Sequence, residues 1–82
     1  MNMSYNFINR RLQNLVTSVI LRQNEKFGEE DIVNKVLRES VGMYNLTLAL
    51  VRDYVRNTLE ILTIHGVFKN EDGIYTKKTL IV

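Results

Sequence analysis

The chain of 82 residues contains no cysteine, no proline and no tryptophan, with only four glycines and a single histidine. Without cysteine it can form neither a disulfide nor a thiolate zinc site, and thiol catalysis is excluded. His65 has no second histidine or cysteine with which to build a metal site or a nucleophilic triad, and no glycine-rich phosphate loop is present. We therefore predict no metal, no cofactor and no catalytic residue.

Long hydrophobic runs are also absent. No stretch approaches the ~18 apolar residues that a membrane-spanning helix needs, and the segment around Arg10 and Arg11 lacks the solid apolar run of a signal peptide. The absence of proline and the scarcity of glycine leave no segment with a linker composition. These features predict a single domain over residues 1–82, located in the cytoplasm and without membrane contact.

Neither sign of charge dominates, because 11 basic side chains nearly balance 9 acidic ones and the formal net charge is only +2. Residues 1–26 carry four basic side chains and one acidic side chain, whereas residues 27–40 carry four acidic and two basic ones. Positive charge thus lies towards the two ends of the sequence and acidic charge in its middle. The overall charge argues only weakly for a polyanionic partner.

The first third of the sequence carries apolar residues at helical spacing. The stripe is formed by Ile8, Leu12, Leu15, Val16, Val19 and Ile20. It predicts an α-helix from about residue 4 to residue 24. Phe7 and Leu21 lie off this stripe. They are either two partly exposed apolar side chains or part of a contact surface for a second copy of the chain.

A second helix is predicted to begin with the acidic residues 29–31 and to end near Ser40, because carboxylates are stabilised at the positive end of a helix dipole. Gly42 suits the left-handed backbone conformation that often follows a helix. A third, clearly two-faced helix is predicted over about residues 46–65, with Asn45 or Thr47 as its capping residue.

The segment after the third helix has the pattern of a β-hairpin. Residues 67–69 and 74–77 are β-prone and flank a turn rich in Asn, Asp and Gly. If residues 70–73 form the loop, Phe68 faces Tyr75 as an aromatic cross-strand pair. Phe27 is expected to lie in a strand of one or two residues. Residues 79–82 form an apolar tail that either extends the second strand or contacts a partner.

This order of elements resembles the winged-helix variant of the helix-turn-helix domain. Residues 27–33 (FGEEDIV) resemble the start of its second helix, residues 59–68 (LEILTIHGVF) the end of its third helix, and residues 72–75 (DGIY) its returning wing strand. The resemblance covers roughly residues 5–78 and implies an α+β, mostly helical fold. It also implies a third helix in the DNA major groove and a wing hairpin on the backbone or in the minor groove. The connection between the second and third helices is longer than the usual turn of about 3–4 residues.

The resemblance implies that the third helix, the residues just before it and the hairpin contact double-stranded DNA. The candidate DNA-binding residues are Tyr44, Asn45, Ala49, Arg52, Arg56, Lys69, Lys77 and Lys78. Arg52 and Arg56 can bind phosphates or guanine edges, with Ala49 permitting close approach. The three lysines can hold the DNA backbone.

Each type of candidate residue also has an interpretation that does not involve DNA. Asp53 and Glu60 share the third-helix face and can neutralise its arginines. Lysines on exposed strands discourage edge-to-edge aggregation, and Tyr44 and Asn45 can equally pack or cap.

Two functions remain open from the sequence. The first is non-enzymatic DNA binding as a homodimer, with Phe7 and Leu21 as dimer contacts, in a small transcriptional regulator. The second is protein–protein assembly without nucleic acid, which the neutral third-helix face, the stripe of Phe7 and Leu21 and the apolar tail favour.

Overall fold

The computed structural model describes residues 3–43 and 45–78, with side chains from Arg10 onward. The described residues form three helices and a three-stranded antiparallel sheet in the strand order β1-β3-β2. The elements are α1 (Met3–Leu21), β1 (Phe27–Gly28), α2 (Glu29–Glu39), α3 (Leu48–Ile64), β2 (Phe68–Glu71) and β3 (Ile74–Lys77). This arrangement confirms the expected α+β, mostly helical fold with a C-terminal hairpin formed by β2 and β3.

The core lies where the apolar stripes of the three helices meet the sheet. Its fully or almost fully buried side chains are Leu12, Val16, Val19, Ile20, Phe27, Ile32, Val33, Val36, Val51, Val55, Leu59 and Phe68. Each helix contributes positions three or four residues apart, as expected for a helix with one buried face. Burial of these apolar surfaces is the main force that holds α2 and α3 together.

Local hydrogen bonds set the starts of α2 and α3. Asp31 Oδ2 accepts from the Gly28 N–H at 2.8 Å, which satisfies a backbone donor at the first turn of α2. Thr47 Oγ1 accepts from the Leu50 N–H at 3.1 Å and caps α3. Asn45 takes a left-handed backbone conformation (φ 63°) two residues earlier and is not the cap.

The first helix is shorter than predicted, because α1 ends at Leu21 and not at residue 24. Beyond it, Gln23 Nε2 donates back to the Val19 carbonyl at 2.8 Å. The side chain thus binds one of the carbonyls that a longer helix would have paired with a backbone amide. The short segment that follows brings Phe27 into the sheet, where the expected short strand is confirmed as β1.

The predicted hairpin register was wrong. The turn consists of two residues, Asp72 and Gly73, with φ of 54° and 85°, so it is two residues shorter than the predicted loop over 70–73. Two consecutive left-handed residues fit the two-residue turns that match the twist of paired strands. Asn70, not Phe68, therefore faces Tyr75.

Phe27 supplies the aromatic neighbour of Tyr75. These two residues are register partners between β1 and β3, and their rings stack with centroids 5.6 Å apart. The rings of Phe27 and Phe68 form an edge-to-face pair with centroids 5.4 Å apart. The aromatic cluster thus joins all three strands, while the predicted tail over residues 79–82 lies outside the described residues.

Candidate nucleic-acid interface

The solvent-facing stripe of α3 lies opposite its buried stripe. Its members are the exposed residues Ala49, Asp53, Asn57, Glu60 and Ile64. The two charged members are both acidic. The outermost line of the helix therefore repels a polyanion, and any positive charge offered to DNA must come from its flanks.

Arg52 and Arg56 lie on the flank of α3 that faces the start of α2. Arg52 Nη2 donates to both carboxylate oxygens of Glu30, at 2.6 and 3.0 Å. Arg56 donates through Nε and Nη2 to the two oxygens of Glu29, at 3.0 and 3.1 Å. This hydrogen bond and the charge of Glu29 raise the pKa of Arg56 above its ordinary value.

By their position on α3, Asp53 and Glu60 are the neutralising partners that the sequence suggests for these arginines. In the structure the ion pairs are made instead by residues of another helix. Spacing along α3 could not reveal these pairs. The relevant signal was the acidic start of α2, which the order of elements brings beside the third helix.

A groove of about 310 Å³ separates α3 from the hairpin. It is lined by Arg56, Glu60, Thr63, Ile64, Asn70 and Tyr75. The first four belong to α3 and the last two to the hairpin, so both elements contribute to one concave surface. Burial and the nearby charge of Glu29 raise the pKa of Tyr75, and Arg56 opposes this shift.

The three hairpin lysines have different surroundings. Lys69 Nζ lies 3.4 Å from Glu71 Oε1 on the same strand. Lys77 Nζ donates to the Leu21 carbonyl at 2.8 Å, at the last residue of α1. The exposed Lys78 side chain has no such partner within the described part of the chain, although its backbone N–H donates to Val67 O.

The remaining candidates are only partly placed. Asn45 and Ala49 are exposed just before α3 and in its first turn. Tyr44 lies outside the described residues, as does the side chain of Phe7. Leu21 is 43% exposed at the end of α1, which leaves it accessible for the predicted dimer contact.

Sequence reasoning missed several features of this surface. Ile61 and Ile64 are 55% and 74% exposed near the C-terminal end of α3 and were not singled out from the sequence. Thr63, Asn70 and Tyr75 line the groove without having been singled out as candidates. A helical wheel places the two isoleucines off the buried stripe, so that signal was available.

A second cavity of about 340 Å³ lies on the side of α2 that faces the end of α1. Its lining includes Lys26, Lys35 and Arg38, together with Glu25 and Asp31. Lys35 Nζ donates to Gln23 Oε1 at 2.7 Å, and the Asp31 carboxylate accepts the Gly28 N–H. The cavity therefore carries mixed charge and is separate from the groove between α3 and the hairpin.

Over residues 3–43 and 45–78, no helix is long and apolar enough to cross a bilayer. The same residues contain no group of three or more histidine, aspartate or glutamate side chains placed to hold a metal ion. Comparisons with protein-family models, curated protein sequences and solved structures found no significant match.

Proposed function

We propose that this chain binds double-stranded DNA, without enzymatic activity, through the surface formed by α3 and the hairpin. The supporting observation is that Arg56 of α3 lines the same groove as Asn70 and Tyr75 of the hairpin. A helix and a hairpin that share one concave face can contact a duplex together, as the winged-helix resemblance implies. A small transcriptional regulator is the role that we propose for such a domain.

The arginines at this surface can exchange their carboxylate partners for DNA phosphates. The side chains of Arg56 and Glu29 are 59% and 24% exposed, and those of Arg52 and Glu30 are 33% and 64% exposed, so each pair has one well-exposed member. Exposed ion pairs contribute only about 0–1 kcal/mol each, so a DNA phosphate can replace a carboxylate on either guanidinium. Lys78 adds a positive charge at the end of the hairpin. Few unneutralised charges predict modest affinity that falls steeply with salt.

We further propose that the protein acts as a homodimer in the cytoplasm. The exposed Leu21 supports the dimer contact, and a chain without cysteine is suited to a reducing compartment. Paired domains would contact two half-sites of a duplex, which increases affinity without any new contact within one domain.

The test is DNA binding by fluorescence anisotropy with a labelled duplex of mixed sequence at ~50 mM salt. Arg52→Ala/Arg56→Ala should weaken binding at least tenfold, about 1.4 kcal/mol. The matched control is Lys26→Ala/Arg38→Ala, which removes two cations from the other side of α2 and should change binding much less. Absence of binding by the wild type, or equal losses in both variants, contradicts the proposal.

The second candidate function is protein–protein assembly through α3. The favouring observation is the exposure of Ile61 and Ile64 beside the acidic Asp53 and Glu60. Apolar side chains rimmed by charges are typical of protein interfaces. Light scattering should then show association that Ile61→Asn/Ile64→Asn abolishes. A monomer that binds DNA and no protein partner eliminates this candidate.

A further inference from the structure

The two arginines of α3 are both occupied by adjacent carboxylates at the start of α2. Glu29 and Glu30 each present two oxygens to one guanidinium, with four N–H···O distances between 2.6 and 3.1 Å. A phosphate group offers the same paired oxygens to the same guanidinium fork. In the free protein the carboxylates therefore stand where DNA phosphates would bind.

These ion pairs are not needed to hold α2 against α3. The two helices already pack through core residues, among which Val33, Val55 and Leu59 are at most 1% exposed. Apolar burial of this kind contributes far more to stability than an exposed ion pair. The carboxylates also gain from the positive end of the α2 dipole, so they remain stabilised when an arginine leaves them.

We propose that Glu29 and Glu30 act as intramolecular competitors of DNA by occupying the phosphate-binding groups of Arg56 and Arg52. This inference rests on the proposed DNA-binding function and adds the regulation of that site. Binding must break two ion pairs before two phosphate contacts form, so the apparent affinity is reduced by the fraction of protein with free arginines. The competitors also place negative charge close to the bound duplex.

The variant that tests this inference is Glu29→Gln/Glu30→Gln. Glutamine keeps the size and the acceptor oxygen of each side chain but removes the charge that holds the guanidinium. Two exposed pairs of ordinary strength correspond to an increase in DNA affinity of about five- to tenfold. The slope of log K against log salt should also steepen, because salt weakens the competing ion pairs of the wild type, whereas the variant has no such pairs to lose.

The matched control is Glu25→Gln/Glu39→Gln. It makes the same change in net charge and also frees an arginine, since Glu39 pairs with Arg22 at 2.7 Å, but it acts at the α1–α2 side. General electrostatic attraction alone would raise the affinity of both double variants equally. The inference requires a clearly larger increase for Glu29→Gln/Glu30→Gln, with less than about a threefold change in the control.

A further variant distinguishes failure of this inference from failure of the proposed DNA-binding function. It is Glu29→Gln/Glu30→Gln/Arg52→Ala/Arg56→Ala. Loss of the tightening in this variant supports the inference. Arginine-dependent wild-type binding that the glutamine pair fails to tighten overturns the inference and leaves the proposed function intact. No binding by either the wild type or the glutamine pair overturns the proposed function itself. Circular dichroism checks folding, and the two single glutamine variants replace the pair if it unfolds.

Discussion

The ring of Phe27 stacks on the ring of Tyr75, with centroids 5.6 Å apart and planes inclined by 15°. Phe27 lies in β1, directly before Gly28 and the start of α2, whereas Tyr75 lines the groove beside α3. This contact therefore fixes the hairpin relative to the helix start that carries Glu29. Through Tyr75, the aromatic cluster thus links the groove to the start of α2.

Phe27→Ala should destabilise the fold by about 3–5 kcal/mol, because it removes a buried ring and leaves a cavity. Phe27→Leu keeps most of the apolar volume and should cost clearly less, about 1–2 kcal/mol. The free energy of unfolding from urea denaturation measures both. Ile64→Ala is the control, since that side chain is 74% exposed and should change stability by less than about 0.5 kcal/mol. Similar values for Phe27→Ala and Ile64→Ala contradict the assigned role.

The sequence predicted the helices well because their buried stripes are long and periodic. Residues such as Val51, Val55 and Leu59 mark one face of α3, and all three are buried. The hairpin register was missed because it depends on whether two or four residues form the turn. Asp72 and Gly73 both adopt positive φ, and only the structure shows that they alone form the turn.

The surface was less predictable than the core. The partners of Arg52 and Arg56 are 22 and 27 residues away along the chain, and no local spacing rule reaches that far. The contact of Lys77 likewise joins residues that are far apart in the sequence, because its partner carbonyl belongs to Leu21. Side-chain pairing at the surface follows from how whole helices and strands pack against one another. A helical wheel or a turn motif carries no information about that packing.

Thr47→Ala should destabilise the protein by about 1 kcal/mol, because Thr47 Oγ1 accepts the Leu50 N–H at the start of α3. Thr47→Ser keeps the hydroxyl and should stay near the wild-type value. Thermal unfolding followed by circular dichroism measures the difference. An equal loss of stability in both variants would show that the hydroxyl is not what matters at this position.

Substitution of Lys77 should reduce stability, whereas substitution of Lys78 should affect DNA binding. Lys77 Nζ donates to the last carbonyl of α1, where a cation also interacts favourably with the helix dipole. Lys77→Met should therefore cost about 0.5–1 kcal/mol of stability, with little effect on the salt dependence of DNA binding. Lys78→Met should leave stability unchanged and reduce the salt slope by about 1.

Urea denaturation and DNA titration at several salt concentrations provide the two measurements for each lysine variant. The two variants serve as controls for each other, because the substitutions are identical and the positions are adjacent. A loss of stability in Lys78→Met, or an unchanged salt slope for it, contradicts the assignment.

Tyr75 should make the protein less stable at alkaline pH. Burial and the charge of Glu29 raise its pKa in the folded state, so the native protein keeps the phenolic proton where the unfolded chain, with a pKa of about 10, releases it. The folded state then binds more protons, and the free energy of unfolding falls as pH rises from about 10 through the folded pKa.

The variant Tyr75→Phe tests this prediction, and its free energy of unfolding, measured by urea denaturation, should fall less steeply over this pH range. Because Asn70 Nδ2 lies 3.5 Å from the Tyr75 hydroxyl, this substitution removes only a weak hydrogen bond. Identical pH dependence in the wild type and the variant contradicts the prediction.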